Sequence, residues 1–91
     1  MALALLFSPK SMTAAQYDDV IRKLAAAGAG APRGRLSHLA FGSGSGLRVL
    51  DVWESQEAFE AFGRTLMPIL QQAGIDVGQP EIAPVHNTIA G

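Results

Sequence analysis

The segment GLRVLDVWES constrains the fold of this chain more than any other. Its successive residues lie on opposite faces of a strand, so one face carries Val49, Asp51 and Trp53, and the other carries Leu50 and Val52. Both faces are largely apolar, and we therefore expect both to be covered. The aspartate in this apolar setting needs a partner or a cavity, because an unpaired buried charge is strongly unfavourable.

Hydrophobic periodicity and turn residues divide the 91 residues into six elements. The segment MALALLF is the predicted first strand, RLSHLAF the second and LRVLDVWE the third, and the turn GSGSG joins the last two as a hairpin. The predicted helices lie in MTAAQYDDVIRKLAAAG and QEAFEAFGRTLMPILQQAG. A final strand is predicted over roughly residues 80–89.

Both predicted helices begin with capping signals. Thr13 and Gln16 have the spacing of a capping box, and Met12 and Tyr17 are spaced for the hydrophobic staple across it. Ser55 is placed to cap the second helix. The staple already accounts for Tyr17, so its presence does not by itself require a functional role.

The element order β-α-β-β-α-β predicts an α+β, ferredoxin-like fold, with a four-stranded antiparallel sheet in a single domain over residues 1–91. Right-handed crossovers place both helices on one face of that sheet. The opposite face is also apolar, and exposing several hundred Å² of it would cost roughly 25 cal/mol per Å². We therefore expect a homodimer in which two such sheets pack face to face.

Composition argues against several functional classes. The chain is 48% hydrophobic and 16% charged with a formal net charge of −1, which is too apolar for a disordered chain and lacks the basic patch of a nucleic-acid binder. It has no cysteine, and its two histidines do not form a metal-binding spacing. The opening apolar run lacks the charged start of a signal peptide and the length of a membrane span. We expect a cytoplasmic protein without metal, nucleic-acid or membrane partners.

The space between the two predicted sheets is the first candidate site. We assign the bulkiest pair of the second strand, Leu39 and Phe41, to the helix side, and likewise Leu50 and Val52 of the third. The candidates that then face the partner sheet are His38, Asp51, Trp53 and, in one phase of the final strand, His86. A largely apolar pocket with a few convergent polar groups is typical of a small-molecule site.

The segment VLDVWESQEAFEAF, with PVHN near the end of the chain, resembles the dimeric α/β-barrel superfamily. The likeness is greatest to small proteins similar to the antibiotic biosynthesis monooxygenase domain, and in element order it covers nearly the whole chain. Ligands of that family bind in the barrel interior or between the sheet and the helices. The resemblance therefore adds Tyr17 and Phe62 as candidate substrate contacts.

The same resemblance implies two functions of different classes. One is an enzyme that oxygenates or cyclises aromatic or polyketide-like molecules without a cofactor. The other is a non-catalytic homodimer, which either binds a small apolar or aromatic molecule or is an accessory protein whose function is its dimer interface. The haem-degrading branch is disfavoured, because its aromatic residue and iron-binding histidine on the second helix correspond here to Phe62 and Gln72, and glutamine is a poor iron ligand.

Two roles are open to each candidate residue. A histidine titrates near neutral pH, so His38 is a candidate general base, and the alternative is a buried neutral side chain with satisfied hydrogen bonds. Asp51 can orient that histidine or take the proton itself, or it can pair with an arginine such as Arg35 in a structural role. Trp53 is either core or a stacking surface for a flat ligand. His86 either contacts ligand or satisfies backbone groups near the end of the last strand.

Overall fold

The computed structural model describes residues 1–91 and contains four strands and two helices in the predicted order. The elements are β1 (Leu3–Phe7), α1 (Ala14–Ala26), β2 (Arg35–Phe41), β3 (Arg48–Trp53), α2 (Gln56–Gln72) and β4 (Glu81–Pro84). The strand order across the sheet is β2-β3-β1-β4, and every neighbouring pair is antiparallel. The predicted α+β, ferredoxin-like fold is confirmed.

Both helix starts have the predicted caps. The Thr13 hydroxyl accepts a hydrogen bond from the backbone N–H of Gln16, and the Gln16 side chain accepts one from the backbone N–H of Thr13. The Ser55 hydroxyl accepts a bond from the N–H of Ala58 at the start of α2. These local bonds fix where each helix begins and hence which side chains face the sheet.

The last strand is shorter than predicted. Pairing in β4 ends at Pro84, which lies opposite Leu3, and one further backbone bond joins Val85 to Ala2. The chain from His86 onward is exposed and outside the sheet.

The helix-facing side of the sheet carries the core. Leu5 and Phe7 of β1 are buried there with Asp51 and Trp53 of β3, and Trp53 is 0% exposed. The predicted phase of β2 and β3 is therefore wrong: His38, Asp51 and Trp53 point toward the helices. Trp53 explains the inversion, because its large indole is covered by two rings of α2, at centroid distances of 5.6 Å to Phe59 and 5.4 Å to Phe62.

The other face of the sheet has no cover from this chain. It is the open face, and its apolar side chains are Ala4, Leu6, Leu39, Phe41, Leu50 and Val52, as register and alternation place them. Leu39 is 56% exposed, and Leu6, Leu50 and Val52 are only half-buried. The expected bare apolar surface is thus present, and its β2 and β3 residues are the four that had been assigned to the helix side. Neither helix has the length and apolarity to cross a membrane.

Candidate functional site

A cavity of about 690 Å³ lies between the helix-facing side of the sheet and the two helices. Most of its wall is apolar, with side chains from both layers that include Phe7, Leu24, Val49, Phe59, Phe62 and Leu66. A small group of polar side chains also reaches it, namely Tyr17, Arg35, His38, Asp51, Glu60 and Arg64. This combination is typical of a site for a small, largely apolar molecule. The cavity is within one subunit, not between two sheets.

Three of these side chains, those of Tyr17, His38 and Asp51, form a continuous chain of hydrogen bonds. Nδ1 of His38 lies 2.6 Å from Oδ1 of Asp51, and Nε2 of the same ring lies 2.6 Å from the Tyr17 hydroxyl. At the other end the Trp53 indole donates to Oδ2 of Asp51 over 3.2 Å. No buried side-chain nitrogen or oxygen lacks a partner. The chain therefore runs from the closed core to the cavity wall.

The direction of these bonds follows from what each group can donate. As a carboxylate, Asp51 only accepts, so Nδ1 of His38 carries the proton that it donates to Asp51. Nε2 of the neutral ring is then an acceptor, and the Tyr17 hydroxyl donates to it. We infer this tautomer from the bonding partners. Asp51 holds the imidazole so that its basic nitrogen points toward Tyr17.

Strand register and a helix cap bring these residues together. His38 and Asp51 are directly opposite each other in the β2–β3 pair. Tyr17 lies in the first turns of α1, just after the Thr13 cap. The loop before that helix is tied to the hairpin, because the backbone of Met12 bonds to Ser45 and Leu47. Backbone hydrogen bonds thus hold the start of the helix that carries Tyr17 against the hairpin that carries His38.

Burial raises the pKa of the Tyr17 phenol, because the phenolate would lose hydration. The positive charge of Arg35 acts in the opposite direction, and the negative charges of Asp51 and Asp18 add to the increase. Tyr17 consequently stays a neutral hydroxyl, able to donate to His38, throughout the neutral pH range.

The structure brings four of the six predicted site residues together. Tyr17, His38, Asp51 and Phe62 line the cavity. Trp53 is fully buried behind the cavity wall, where it packs against Phe59 and Phe62 and bonds to Asp51, and it does not line the cavity itself. His86 lies on the exposed segment after β4, outside the cavity wall.

Arg35 is a cavity residue that was not predicted as such. It does not pair with Asp51; its guanidinium donates to the carbonyl of Gly30 over 3.4 Å and lies 5.9 Å from the centre of the Phe62 ring. A register shift between Arg35 and Ser37 places it on the same side of the sheet as His38. Regular alternation would have put these two residues on opposite faces, and the sequence carries no signal for the bulge. No three His, Asp or Glu side chains lie close enough together to hold a metal ion.

Comparison with known proteins gives likeness in structure alone. No family model matches the sequence, and no curated protein matches it. Among solved structures, a point mutant of SnoaB from Streptomyces nogalater, a cofactor-independent oxygenase, superposes with a TM-score of 0.70 at 14% identity, covering 99% of this chain and 98% of that one. A proposed antibiotic biosynthesis monooxygenase from Chloroflexus aurantiacus gives 0.66 at 18% identity, with all of both chains covered.

A second such protein, from Deinococcus radiodurans, gives a TM-score of 0.57 at 14% identity over 99% of this chain and 97% of that one. Identities this low show a shared fold and carry no residue roles across. The superpositions run over essentially the full length of each protein, so the whole domain is alike and not one motif. The chain has the ferredoxin-like fold of the antibiotic biosynthesis monooxygenase-like proteins.

Proposed function

We propose that this protein is a cofactor-independent oxygenase of a flat, electron-rich aromatic or polyketide-like molecule. The observation that carries the proposal is the Asp51–His38–Tyr17 hydrogen-bond chain, which ends at the wall of a largely apolar cavity. A general base oriented by a carboxylate is the arrangement needed to remove a proton from a substrate. The fold shared with SnoaB supports the same class of reaction.

The cavity suits a flat apolar substrate. Phe7, Phe59 and Phe62 contribute aromatic surface from both layers, and the volume of about 690 Å³ is in the range of small-molecule sites. Apolar walls beside the partly buried Tyr17 hydroxyl make electrostatic interactions there stronger than in bulk solvent.

The proton leaves the substrate through Tyr17. Nε2 of His38 already accepts a hydrogen bond from the Tyr17 hydroxyl. The hydroxyl proton therefore passes to His38 as the phenol oxygen takes the substrate proton. The electron pair stays on the substrate as a delocalised carbanion. Asp51 stabilises the imidazolium formed in this step through its bond to Nδ1.

Dioxygen is the second substrate and the oxidant. The carbanion gives one electron to dioxygen, the two radicals combine, and His38 returns its proton to the resulting peroxide. The Tyr17–His38 pair then takes the second carbon-bound proton, the O–O bond breaks as the C=O bond forms, and the same proton converts the departing hydroxide to water. The balance is one CH₂ group and one O₂ giving one C=O group and one H₂O, and the substrate itself supplies all the electrons.

The test is anthrone oxidation under air, followed by oxygen uptake and by the absorbance of anthraquinone. We expect the wild type to consume one dioxygen per quinone, and His38→Ala to lose a factor of about 100 to 10,000 in rate. His86→Ala is the matched control, because it removes the other histidine, which lies outside the cavity, and its rate should equal that of the wild type. A wild-type rate equal to the uncatalysed rate in buffer would refute the oxygenase.

One observation favours a second function, the binding of an aromatic molecule without chemistry. Both nitrogens of His38 already have partners within the protein, so no free base faces the cavity. Quenching of the single tryptophan by anthrone, with no turnover, would support this function over the oxygenase.

We further propose that the open face pairs with a second copy of the chain. Complete burial of an exposed leucine contributes about 1.5–3 kcal/mol, and covering the exposed parts of Leu39 and Leu50 gains a share of this, while a domain of this size has few other ways to cover that surface. The two cavities would then lie on the outer sides of the paired sheets, each complete within its own subunit.

A further inference from the structure

Arg35 is a cation in the cavity wall without a carboxylate partner. The ion pairs of this chain join Asp19 to Arg22 and Lys23, and the Asp51 carboxylate is bonded to neutral His38, so none of these carboxylates is paired with Arg35. Its side chain is half-buried, and its neighbours are a carbonyl and an aromatic ring. A guanidinium offers five N–H donors in a planar fork, and the Gly30 carbonyl is the one acceptor that this fork has.

None of the other charged side chains at the cavity forms an ion pair with Arg35. Asp51 is held by His38 and Trp53 at its two oxygens. Glu60 is on the exposed side of α2 and accepts from Gln56. Arg64, also exposed on α2, adds a second positive charge at the wall. Arg35 thus has no carboxylate of this chain within ion-pair distance, and it faces a mainly apolar space.

The position of Arg35 is defined on two sides. The Phe62 ring lies against the guanidinium, and the bond to Gly30 fixes one end of the fork. Arg35 lies on the same side of the sheet as His38 and Asp51, and its positive charge acts to lower the pKa of the Tyr17 phenol. An anion bound at Arg35 would therefore hold one end of a ligand beside the reactive hydroxyl.

We propose that Arg35 binds a carboxylate carried by the ligand, so that the preferred ligands are aromatic carboxylic acids. A carboxylate matches the planar fork of a guanidinium with two parallel hydrogen bonds, which a neutral ring substituent does not. A neutral ligand would leave the guanidinium partly desolvated and unpaired. The proposal uses the same cavity as the oxygenase and specifies its substrate, but it does not depend on turnover.

A matched pair of fluorescent probes tests the proposal by binding alone. Anthracene-2-carboxylate and anthracene-2-carboxamide have the same ring and nearly the same shape, and differ in charge. At neutral pH we expect the wild type to bind the carboxylate about 10- to 100-fold more tightly than the amide, as for other hydrogen bonds between charged groups. In Arg35→Gln the two probes should bind equally, with the affinity for the amide unchanged.

Arg33→Gln is the control variant. It removes the same charge two positions away, at an exposed site outside the cavity wall, so a general electrostatic attraction would fall equally in both variants. Retention of the carboxylate preference in Arg33→Gln and its loss in Arg35→Gln would support the proposal. Three results would each overturn it. The wild type could bind both probes equally, it could bind neither, or the preference could survive in Arg35→Gln.

This result is separable from the oxygenase test. A carboxylate preference without anthrone turnover would leave Arg35 as the anion site of a binding protein and refute only the enzyme. Turnover without the preference would refute only the role of Arg35.

Discussion

His38 and Asp51 face each other directly across the β2–β3 pair, with Nδ1 of the imidazole 2.6 Å from Oδ1 of the carboxylate. The backbone register of a hairpin therefore sets the distance between the two polar groups. Asp51 is 5% exposed, and the Trp53 indole holds its second oxygen. Because both oxygens are engaged, the carboxylate has one orientation, and the imidazole takes its orientation from it.

Asp51→Asn tests this arrangement. The amide has the size of the carboxylate, but its nitrogen cannot accept a hydrogen bond, so either His38 or Trp53 loses its acceptor. We expect kcat for anthrone oxidation to fall by about 100-fold, as for loss of a general base, with little change in KM. Oxygen uptake under saturating substrate gives kcat.

Asp76→Asn is the control for this substitution, because Asp76 is exposed and bonds only to the backbone N–H of Gly78. Its kcat should match that of the wild type. Equal kcat values for Asp51→Asn and the wild type would show that the carboxylate has no part in the reaction.

Tyr17 is the single tyrosine of the chain, so ultraviolet absorbance of phenolate reports on it alone. Burial raises the pKa of this phenol, and we expect the folded protein to titrate above the ordinary tyrosine value of about 10. Tyr17→Phe should remove the absorbance step entirely. A midpoint at or below the ordinary value would contradict the burial of the hydroxyl.

The same increase in pKa makes stability depend on alkaline pH. The folded state holds the Tyr17 proton more tightly than the unfolded state, so this group contributes stability fully below a pH of about 10 and loses that contribution as pH rises through the folded pKa. Urea unfolding followed by the fluorescence of Trp53 should show the free energy of unfolding falling faster with pH in the wild type than in Tyr17→Phe over that range.

Element order and helix boundaries could be predicted because their causes are local. The Thr13–Gln16 capping box and the Ser55 cap depend on residues within one helical turn, and both occur as predicted. The hairpin of β2 and β3 likewise follows from the glycine-rich turn between two apolar runs. Final-strand length was overestimated because it depends on the register with a strand distant in sequence.

The phase of the strands could not be predicted from hydrophobicity, because Leu50 and Val52 are as apolar as the face that carries Trp53. The deciding factor is the volume of the indole, which requires the aromatic side chains of α2. The predicted facing of the side chains was inverted in both β2 and β3. His38 and Asp51 were therefore still placed together, although on the wrong side of the sheet. The position of Arg35 in the cavity wall could not be predicted, because a bulge sets the direction of its side chain.

Gly34 determines how closely the start of β2 approaches α2. It has a φ of +89°, and an added Cβ would lie 2.6 Å from that of Ala58. We expect Gly34→Ala to lower the free energy of unfolding by about 2–4 kcal/mol, through backbone strain and overpacking together. Denaturant titration measures the change. Gly63→Ala, where the added Cβ meets nothing, should not destabilise the protein in this way. A wild-type-like midpoint for Gly34→Ala would show that the two elements can separate without loss of stability.

Leu39 tests whether a second copy covers the open face. Its side chain is 56% exposed and lies opposite Leu50 in the sheet. If two sheets pack together there, Leu39→Lys buries an ammonium in an apolar interface, and desolvation of that charge should dissociate the dimer. Sedimentation velocity at micromolar concentration should then show two subunits for the wild type and one for the variant. Gln71→Lys adds the same charge at an exposed position on α2 and should remain dimeric. A wild type that sediments as a single folded subunit would mean that the apolar open face is tolerated in water, and the homodimer would be refuted.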